Sequence, residues 1–415
     1  MQQIIGKMTR IVFMLFAVLF SLFVLVDATS RVVQNFDAGT AIAINPFNSN
    51  ARLKYVAQKI GEADDESKLN VLKRILKKGT EVDPSEARFY SLYGMIIEAE
   101  GDVEAAQDYY NLALSLIPTE GYALIRKIAY STRNNDFPEA IRLADLVFQR
   151  WKTRWPLVEP LLPIILQDDK AYRIALSDFT KRQGGKEALV NGLIKSSQGL
   201  SLASQILFDL NKAGFNDLEW VTSSTIRKMI AEERGADAYR LFVLTLDEGR
   251  KQDLGYVFNG AFTQEPKFNN PFDWSFTVQS GVNISIENRN LDGQQVNAVE
   301  LKFHDKPTNL TTLRQTIRLP ENSFNFSVKY SSDVKGPKPL ILSIACQSPQ
   351  KEVTQVILEP TNGNVKTISS EFKIPSAGCD LQFISLYNKN FSKSWQNRYS
   401  GSLNLYNVTI ELVGG

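Results

Sequence analysis

The hydrophobic pattern of this 415-residue chain changes its period near Gly255, and this change limits the folds that the chain can adopt. Before Gly255, apolar residues recur at helical spacing, as in residues 71–76. After it, apolar and polar residues alternate in short runs such as 282–286 and 324–330, separated by clusters of Asn, Gly, Pro and Ser. The pattern therefore predicts a multidomain chain, with an all-α part followed by an all-β sandwich.

The segment between Pro84 and Pro118 has the pattern of a helical hairpin. The two prolines are 34 residues apart and end the helices that precede them. Gly94 and Ala106 are small at the positions where two helices would cross closely, and Gly101 lies in the turn between them. The bulk around this contact comes from three tyrosines: Tyr90, Tyr93 and Tyr110.

This 34-residue arrangement resembles one tetratricopeptide repeat (TPR), although an ordinary hairpin in an all-α domain is the alternative. One repeat cannot bury its own apolar faces, so we expect degenerate neighbours on both sides. The resemblance implies TPR-like helical repeats over residues 31–155. It also implies further helices over residues 156–252, either as degenerate repeats or as a cap.

In the resembled family, the first helix of each repeat lines a concave groove that binds a protein partner. In the clear repeat, the resemblance implies that this groove contains four residues: Arg88, Ser91, Met95 and Glu98. The alternative is that these side chains are solvated or packed on the next helix.

Residues 11–26 form a nearly unbroken apolar run, preceded by Lys7 and Arg10 with no acidic residue. Such a run is either a transmembrane anchor or a signal peptide. Because no polar stretch separates the run from the small residues that follow it, we predict an uncleaved anchor over residues 11–28. Residues 1–10 would be cytoplasmic, and the rest of a single-pass membrane protein would be exported.

Composition and motifs disfavour several classes of function. A net charge of +2 gives no reason to expect nucleic-acid binding, and the single histidine, His304, disfavours most histidine-based catalysis and metal binding. The chain also lacks a phosphate-binding loop, a nucleophile elbow, HExxH and CxxC. We therefore predict no catalytic residue, no metal and no cofactor. A glycosidase stays open, because its paired carboxylates need no local motif.

The β part begins with the segment 257–262, continues to Trp274, and ends with the segment 401–410. Together these segments resemble the opening and closing strands of jelly-roll carbohydrate-binding modules of the galactose-binding-like kind. The arrangement also resembles a domain that follows TPR-like helices in exported proteobacterial proteins. The resemblance implies a jelly-roll sandwich over residues 255–415. Its motifs are mostly packing residues, so they specify the fold better than the ligand.

The two cysteines of the chain, Cys346 and Cys379, both lie in this β part. An even pair confined to one domain of an exported protein predicts a disulfide, and two buried thiols are the alternative.

Aromatic residues are the candidate sugar contacts. Trp274 lies among other aromatics, which predicts a core position. Trp395 and Tyr399 fall in a polar stretch that we interpret as a long loop, where exposed rings, with Asn397 and Arg398, suit a sugar. The alternative is that Trp395 only pins this loop to the sandwich.

The sequence as a whole predicts a non-catalytic, membrane-anchored scaffold. Its helical repeats would bind a protein partner, and its sandwich would bind a glycan or dock on the repeats. Together these parts suggest a role in envelope or exopolysaccharide assembly. Two alternatives remain, namely a pure protein–protein scaffold and a polysaccharide-modifying enzyme. A well-packed Trp395 would favour the first, and a cleft with two close carboxylates would favour the second.

Overall fold

The computed structural model describes residues 2–63, 65–215, 217–267, 270–277, 279–291, 293–310, 313–389 and 395–414, with side chains from residue 11 onward. The chain divides into two compact units, Met1–Gly192 and Leu193–Gly415. The predicted fold class is confirmed, because helices are followed by two antiparallel sheets and an apolar helix begins the chain.

The first unit is helical throughout its described part. Its α-helices are α1 (Gln2–Val33), α2 (Ala38–Ile44), α3 (Ser49–Lys59), α4 (Glu66–Val82), α5 (Ala87–Ala99), α6 (Val103–Leu116), α7 (Gly121–Arg133), α8 (Phe137–Arg150), α9 (Leu162–Ile165), α10 (Asp169–Phe179) and α11 (Gly185–Leu193), whose last residue belongs to the second unit. Short 3-10 turns cover Ile60–Glu62, Lys152–Leu157 and Glu159–Leu161.

Helices α5 and α6 form the hairpin that the proline spacing predicts. The Asp102 carboxylate caps α6 by accepting a hydrogen bond from the Ala105 N–H at 3.0 Å. Gly94 is small because a Cβ there would lie 2.7 Å from the Tyr110 ring and 3.1 Å from the Ala106 carbonyl oxygen. Close packing of the two helices therefore depends on the missing side chain at Gly94.

Helix α1 is long and apolar enough to cross a membrane, as judged by length and composition over Ile11–Val33. Its side chains from residue 11 to residue 26 are exposed to solvent. A signal sequence near an N-terminus has the same properties.

Within its described residues, the second unit contains four complete α-helices and ten strands. The helices are α12 (Gly199–Lys212), α13 (Glu219–Ala231), α14 (Gly235–Leu244) and α15 (Glu248–Lys251). The strands are β1 (Ser275–Phe276), β2 (Val282–Leu291), β3 (Gln294–Pro307), β4 (Leu313–Ile317), β5 (Ser323–Ser332), β6 (Leu340–Cys346), β7 (Lys351–Leu358), β8 (Lys366–Lys373), β9 (Gln382–Asn388) and β10 (Arg398–Leu412).

The strands form two antiparallel sheets of five, in the orders β1-β4-β9-β6-β7 and β2-β3-β10-β5-β8. We call them the groove sheet and the back sheet. Alternate residues of both sheets point inward and form one apolar core, which includes Leu342, Ile384, Val328 and Leu403. Trp274 is buried in this core, so its predicted position is confirmed.

Helices α14 and α15 pack directly on the sandwich within the second unit. The ring of Phe242 in α14 lies 5.1 Å from that of Phe258 and 5.4 Å from that of Phe272, measured between centroids. Arg250 in α15 forms a buried ion pair with Asp273 at 2.6 Å. These helices therefore belong to the same packing unit as the sandwich.

Candidate functional site

An open groove of about 620 Å³ crosses the outer face of the groove sheet. The register of the sheet explains its position, because Arg314 in β4 pairs with Ser385 in β9, which pairs with Ser343 in β6. Inward neighbours such as Leu386 belong to the core, so these three side chains point outward. Alternation along the strands therefore produces a polar outer row on an apolar sheet.

One side of the groove is formed by a cation stacked on a ring. The guanidinium carbon of Arg314 lies 4.0 Å from the centroid of the Phe383 ring, while Phe383 itself is buried. Burial against the sheet lowers the pKa of Arg314, although an arginine still carries its charge at neutral pH. The stack thus presents a planar, charged hydrogen-bond donor to the groove.

A phenol and a carboxylate also line the groove. The Tyr387 O–H donates a hydrogen bond to Glu352 in β7 at 2.8 Å. Burial, and then this hydrogen bond to the carboxylate, raise the pKa of Tyr387 to about 12. The phenol therefore stays protonated at neutral pH and fixes the orientation of the Glu352 carboxylate, which keeps further acceptor capacity.

Between these two pairs, the groove is lined by small hydroxyls. The Oγ atoms of Ser343 and Ser385 lie 3.5 Å apart on neighbouring strands. Ser343 lies on the buried floor of the groove, and Ser385 beside it is partly exposed. The lining therefore combines flat surfaces with hydroxyl, carboxylate and guanidinium groups, the inventory that recognises a polyhydroxylated ligand.

The end of the groove is linked to the predicted Trp395 segment through residue 308. Asn388, at the end of β9, accepts a hydrogen bond from the Leu310 N–H at 2.9 Å and donates one to the Thr308 carbonyl at 3.0 Å. The Thr308 N–H in turn donates to the carbonyl of Asn397 at 3.4 Å. Asn388 and Leu310 line the groove, so both sites lie at one end of the sandwich.

The structure brings the side chains of Trp395 and Arg398 together, although Arg398 begins β10 rather than lying in the predicted loop. Trp395 is 66% exposed and begins a 3-10 turn, Trp395–Asn397. The Arg398 guanidinium carbon lies 3.5 Å from the Trp395 ring centroid, and its Nη1 lies 3.2 Å from Asp305. Residues 390–394 of the predicted loop lie outside the described residues. Sugar binding at Trp395, Asn397 and Arg398 stays a prediction.

Tyr399 requires a correction, because it is not an exposed ring in a loop. It belongs to β10 and is fully buried. Its ring packs at 5.8 Å from that of Phe303, and a Cβ at Gly336 would lie 2.3 Å from it. Its O–H donates to the Lys338 carbonyl at 3.1 Å. The ring therefore stabilises the sandwich and presents no face to a sugar.

The predicted repeat-groove residues of α5 differ in exposure. Arg88 is exposed and pairs with Glu86 at 2.6 Å, and Met95 is half-buried against the helical core. Glu98 accepts a hydrogen bond from the Tyr110 O–H at 2.7 Å.

Ser91 requires a correction, because it is buried and its hydroxyl donates to the Glu120 carboxylate. It is therefore an internal contact between α5 and the start of α7. The use of Arg88, Met95 and Glu98 by a protein partner stays a prediction.

The predicted disulfide between Cys346 and Cys379 is confirmed, and it closes a separation of 33 residues. It joins the end of β6 to the segment before β9, and β6 and β9 are neighbouring strands of the groove sheet. Among the residues that the structure describes, no group of three His, Cys, Asp or Glu side chains could hold a metal ion.

The sequence interpretation missed the groove residues Arg314, Glu352, Phe383 and Tyr387. A signal was present in β9, where Phe383, Ser385 and Tyr387 alternate with core residues and place two aromatics on the outer face. Arg314 and Glu352 carried no such signal, since their approach to β9 depends on strand order.

Comparisons with known proteins come from solved structures. A family 4 carbohydrate-binding module (CBM4) is 17% identical, covers 38% of this chain and 99% of its own, and has a TM-score of 0.28. A family 16 carbohydrate-binding module is 15% identical, with coverages of 38% and 99% and a TM-score of 0.26. A module from Cellvibrio mixtus lichenase 5A, solved with cellotriose, is 16% identical, with coverages of 34% and 92% and a TM-score of 0.22.

A scan against protein-family models finds no match, and a search of curated proteins finds none either. At identities and TM-scores this low, the structural similarities carry no argument about function.

Proposed function

We propose that this chain is a non-catalytic binding protein whose sandwich holds a glycan chain in the groove of the groove sheet. The observation that carries this proposal is the arrangement of the Arg314–Phe383 stack and the Tyr387–Glu352 pair around a hydroxyl-lined floor. A pyranose ring has an apolar face and a rim of hydroxyls. The groove offers partners for both.

The chemistry of each group gives it a role. The exposed face of the Arg314 guanidinium lies against a sugar ring and donates hydrogen bonds to its hydroxyls or to a carboxylate substituent. The oriented Glu352 carboxylate accepts hydrogen bonds from sugar hydroxyls. Because the groove is open rather than enclosed, it suits an internal stretch of a polysaccharide better than a small ligand.

Two observations favour binding over the alternatives. The described lining of the groove contains one carboxylate, that of Glu352, whereas glycoside hydrolysis ordinarily uses a pair. Trp395 is exposed, whereas the pure scaffold was expected to show a well-packed Trp395.

The wider role follows from the other parts of the chain. We propose that residues 11–28 are an uncleaved anchor in an inner membrane, with the bulk of the chain in the periplasm. The α5–α6 hairpin and its neighbours would be TPR-like repeats that bind a protein partner. Joining a glycan and a protein partner at the membrane suits assembly of envelope or exported polysaccharide.

Affinity electrophoresis of the full chain in detergent tests the glycan-binding proposal, with gels that contain neutral or acidic polysaccharides. We expect retardation by at least one polysaccharide. Arg314→Ala should weaken binding by roughly tenfold to a hundredfold, because it removes charge-assisted hydrogen bonds. Tyr387→Phe should weaken it about fivefold, because Glu352 loses its orienting partner.

The matched control is Arg289→Ala on the back sheet, where Arg289 pairs with Glu300 at 2.7 Å. It removes a partly exposed arginine from the opposite face of the sandwich, and retardation should not change. An equal loss of retardation in both arginine variants would contradict glycan binding in the groove. Retardation by no polysaccharide would overturn glycan binding and leave the protein scaffold as the favoured function.

A further inference from the structure

The C-terminal end of α1 is locked to the helices that follow it. The Asn45 amide donates to the Asp27 carboxylate at 2.9 Å. Ser30 is buried, donates to the Ala41 carbonyl at 2.8 Å and accepts from the Asn48 amide at 2.8 Å. Three polar groups, on Ala41 of α2 and on the flanking cap residues Asn45 and Asn48, are therefore matched to two residues of α1 just beyond its apolar stretch.

These contacts set the direction of α2 relative to α1. Ala41 contacts Ser30, and Asn45 contacts Asp27, so the chain descends along α2 towards the apolar part of α1. The turn between α2 and α3 therefore lies at the level of Asp27. The apolar run of α1 ends at the residue before Asp27.

The turn between α2 and α3 is rigid and exposes an aromatic ring. The Asn45 side-chain oxygen accepts the Phe47 N–H at 3.0 Å. The buried Arg52 donates from Nε to the Pro46 carbonyl at 3.1 Å. Phe47 is nevertheless 65% exposed. A fixed backbone thus holds a large apolar side chain in solvent beside the end of an apolar helix.

We propose that this turn is a membrane-surface contact, in which Phe47 enters the lipid interface beside the point where α1 leaves the bilayer. The inference rests on the anchor interpretation of residues 11–28. Continuity with the exposed apolar face of α1 identifies the partner as a lipid surface. Counting about 20 residues back from Asp27 spans a hydrocarbon core and reaches Lys7, which suits the opposite interface.

The consequence is a fixed orientation of the first helices on the membrane. Because Asp27 and Ser30 tie α1 to α2 and α3, these helices cannot swing on a flexible tether. The tilt of α1 would be restrained by the insertion of Phe47 and by the polar contacts together. An anchor alone would leave Phe47 in water.

Phe36 provides an internal control. It is 88% exposed but lies beyond the end of α1 at Val33, in the turn at the opposite end of α2. Val33 is six residues past Asp27, which places this turn about 9 Å further from the apolar run. Phe36 and Phe47 are therefore both exposed, but we expect them to lie at different depths relative to the membrane.

The test attaches one fluorophore to each variant of the full chain. The two native cysteines are joined in a disulfide, so one introduced cysteine gives one labelling site. Phe47→Cys, Phe36→Cys and Leu19→Cys are labelled with an environment-sensitive dye. Each is reconstituted into vesicles of phosphatidylcholine and phosphatidylglycerol, with spin labels placed either near the headgroups or deep in the acyl chains.

We expect headgroup spin labels to quench the emission at position 47 by roughly half and to leave position 36 nearly unchanged. Deep spin labels should quench position 19. Quenching at position 19 with none at position 47 would overturn the interface contact and keep the anchor. Quenching at neither position would overturn both. Neither result affects polysaccharide binding by the sandwich, which is measured separately.

Discussion

Removing one partner of the Arg250–Asp273 pair should destabilise the second unit strongly. The Arg250 side chain is 5% exposed and that of Asp273 is 0% exposed, with 2.6 Å between nitrogen and oxygen. Arg250→Met keeps a long apolar side chain but leaves the Asp273 carboxylate buried without its cation. Breaking such a pair ordinarily costs about 3–5 kcal/mol in the free energy of unfolding.

The local contacts place the expected cost near the lower end of that range, about 3 kcal/mol. Asp273 still accepts hydrogen bonds from the Lys267 and Trp274 N–H groups, both at 2.8 Å. Methionine also keeps part of the packing of the Arg250 side chain, whose guanidinium carbon lies 5.0 Å from the Phe258 ring centroid. The loss is thus mainly electrostatic.

The matched control is Arg318→Met. Arg318 pairs with Asp380 at 3.1 Å, but the two side chains are 39% and 53% exposed. An exposed pair contributes about 0–1 kcal/mol. Urea unfolding of the full chain is followed by hydrogen exchange of peptides from the sheets. This experiment measures the free energy of unfolding of the second unit alone in both variants. A cost for Arg250→Met no larger than that for Arg318→Met would refute the reasoning.

Three further predictions concern the disulfide, the hairpin and the phenol in the groove. Reducing the Cys346–Cys379 disulfide, which closes a separation of 33 residues, should lower the free energy of unfolding of the sandwich by about 3–4 kcal/mol; an unchanged urea midpoint for the sheets would contradict this. Gly94→Ala should cost about 1–3 kcal/mol, because its Cβ meets the Tyr110 ring at 2.7 Å; urea unfolding followed by hydrogen exchange of α5 and α6 checks it. The pKa of Tyr387 is raised from 10.0 to about 12, so the folded state keeps this proton longer than the unfolded state. The stabilisation of the folded state by the protonated Tyr387 is complete below pH 10 and is lost as the pH rises towards 12. The ultraviolet difference between wild type and Tyr387→Phe should titrate near pH 12, and a midpoint near pH 10 would contradict the burial and the hydrogen bond.

The fold could be predicted because its signals are local. The change of period near Gly255 separates helices from strands, and the spacing of Gly94 and Ala106 identifies the α5–α6 contact. Trp274 was assigned to the core because aromatic neighbours rarely all remain exposed. In each case, residues close in sequence carried the information.

The candidate site could be predicted only in part because its contacts are distant in sequence. Arg314 lies on Phe383 only because β4 pairs with β9. Tyr399 was misassigned because a polar stretch precedes it, whereas its burial depends on Gly336 and Phe303 in other segments. Local polarity indicates a loop, but it does not show where the next strand begins.

The boundary between the two compact units does not coincide with the change in hydrophobic pattern, and packing explains the difference. Composition changes near Gly255, but the contacts of Phe242 and Arg250 join α14 and α15 to the sandwich. A chain that begins at Gly255 would expose Phe258 and Phe272. Binding experiments therefore use the full chain.

The measurement that tests glycan binding in the groove most directly is a hydrogen-exchange footprint of the full chain, with and without the polysaccharide that retards it most strongly. The account predicts protection of β4, β9 and β6, around Arg314 and Tyr387, and no change in β2 and β3 of the back sheet. Protection that is confined to the Trp395–Asn397 turn would place the ligand at the sequence-predicted aromatic instead. A footprint on neither segment would contradict glycan binding at this end of the sandwich.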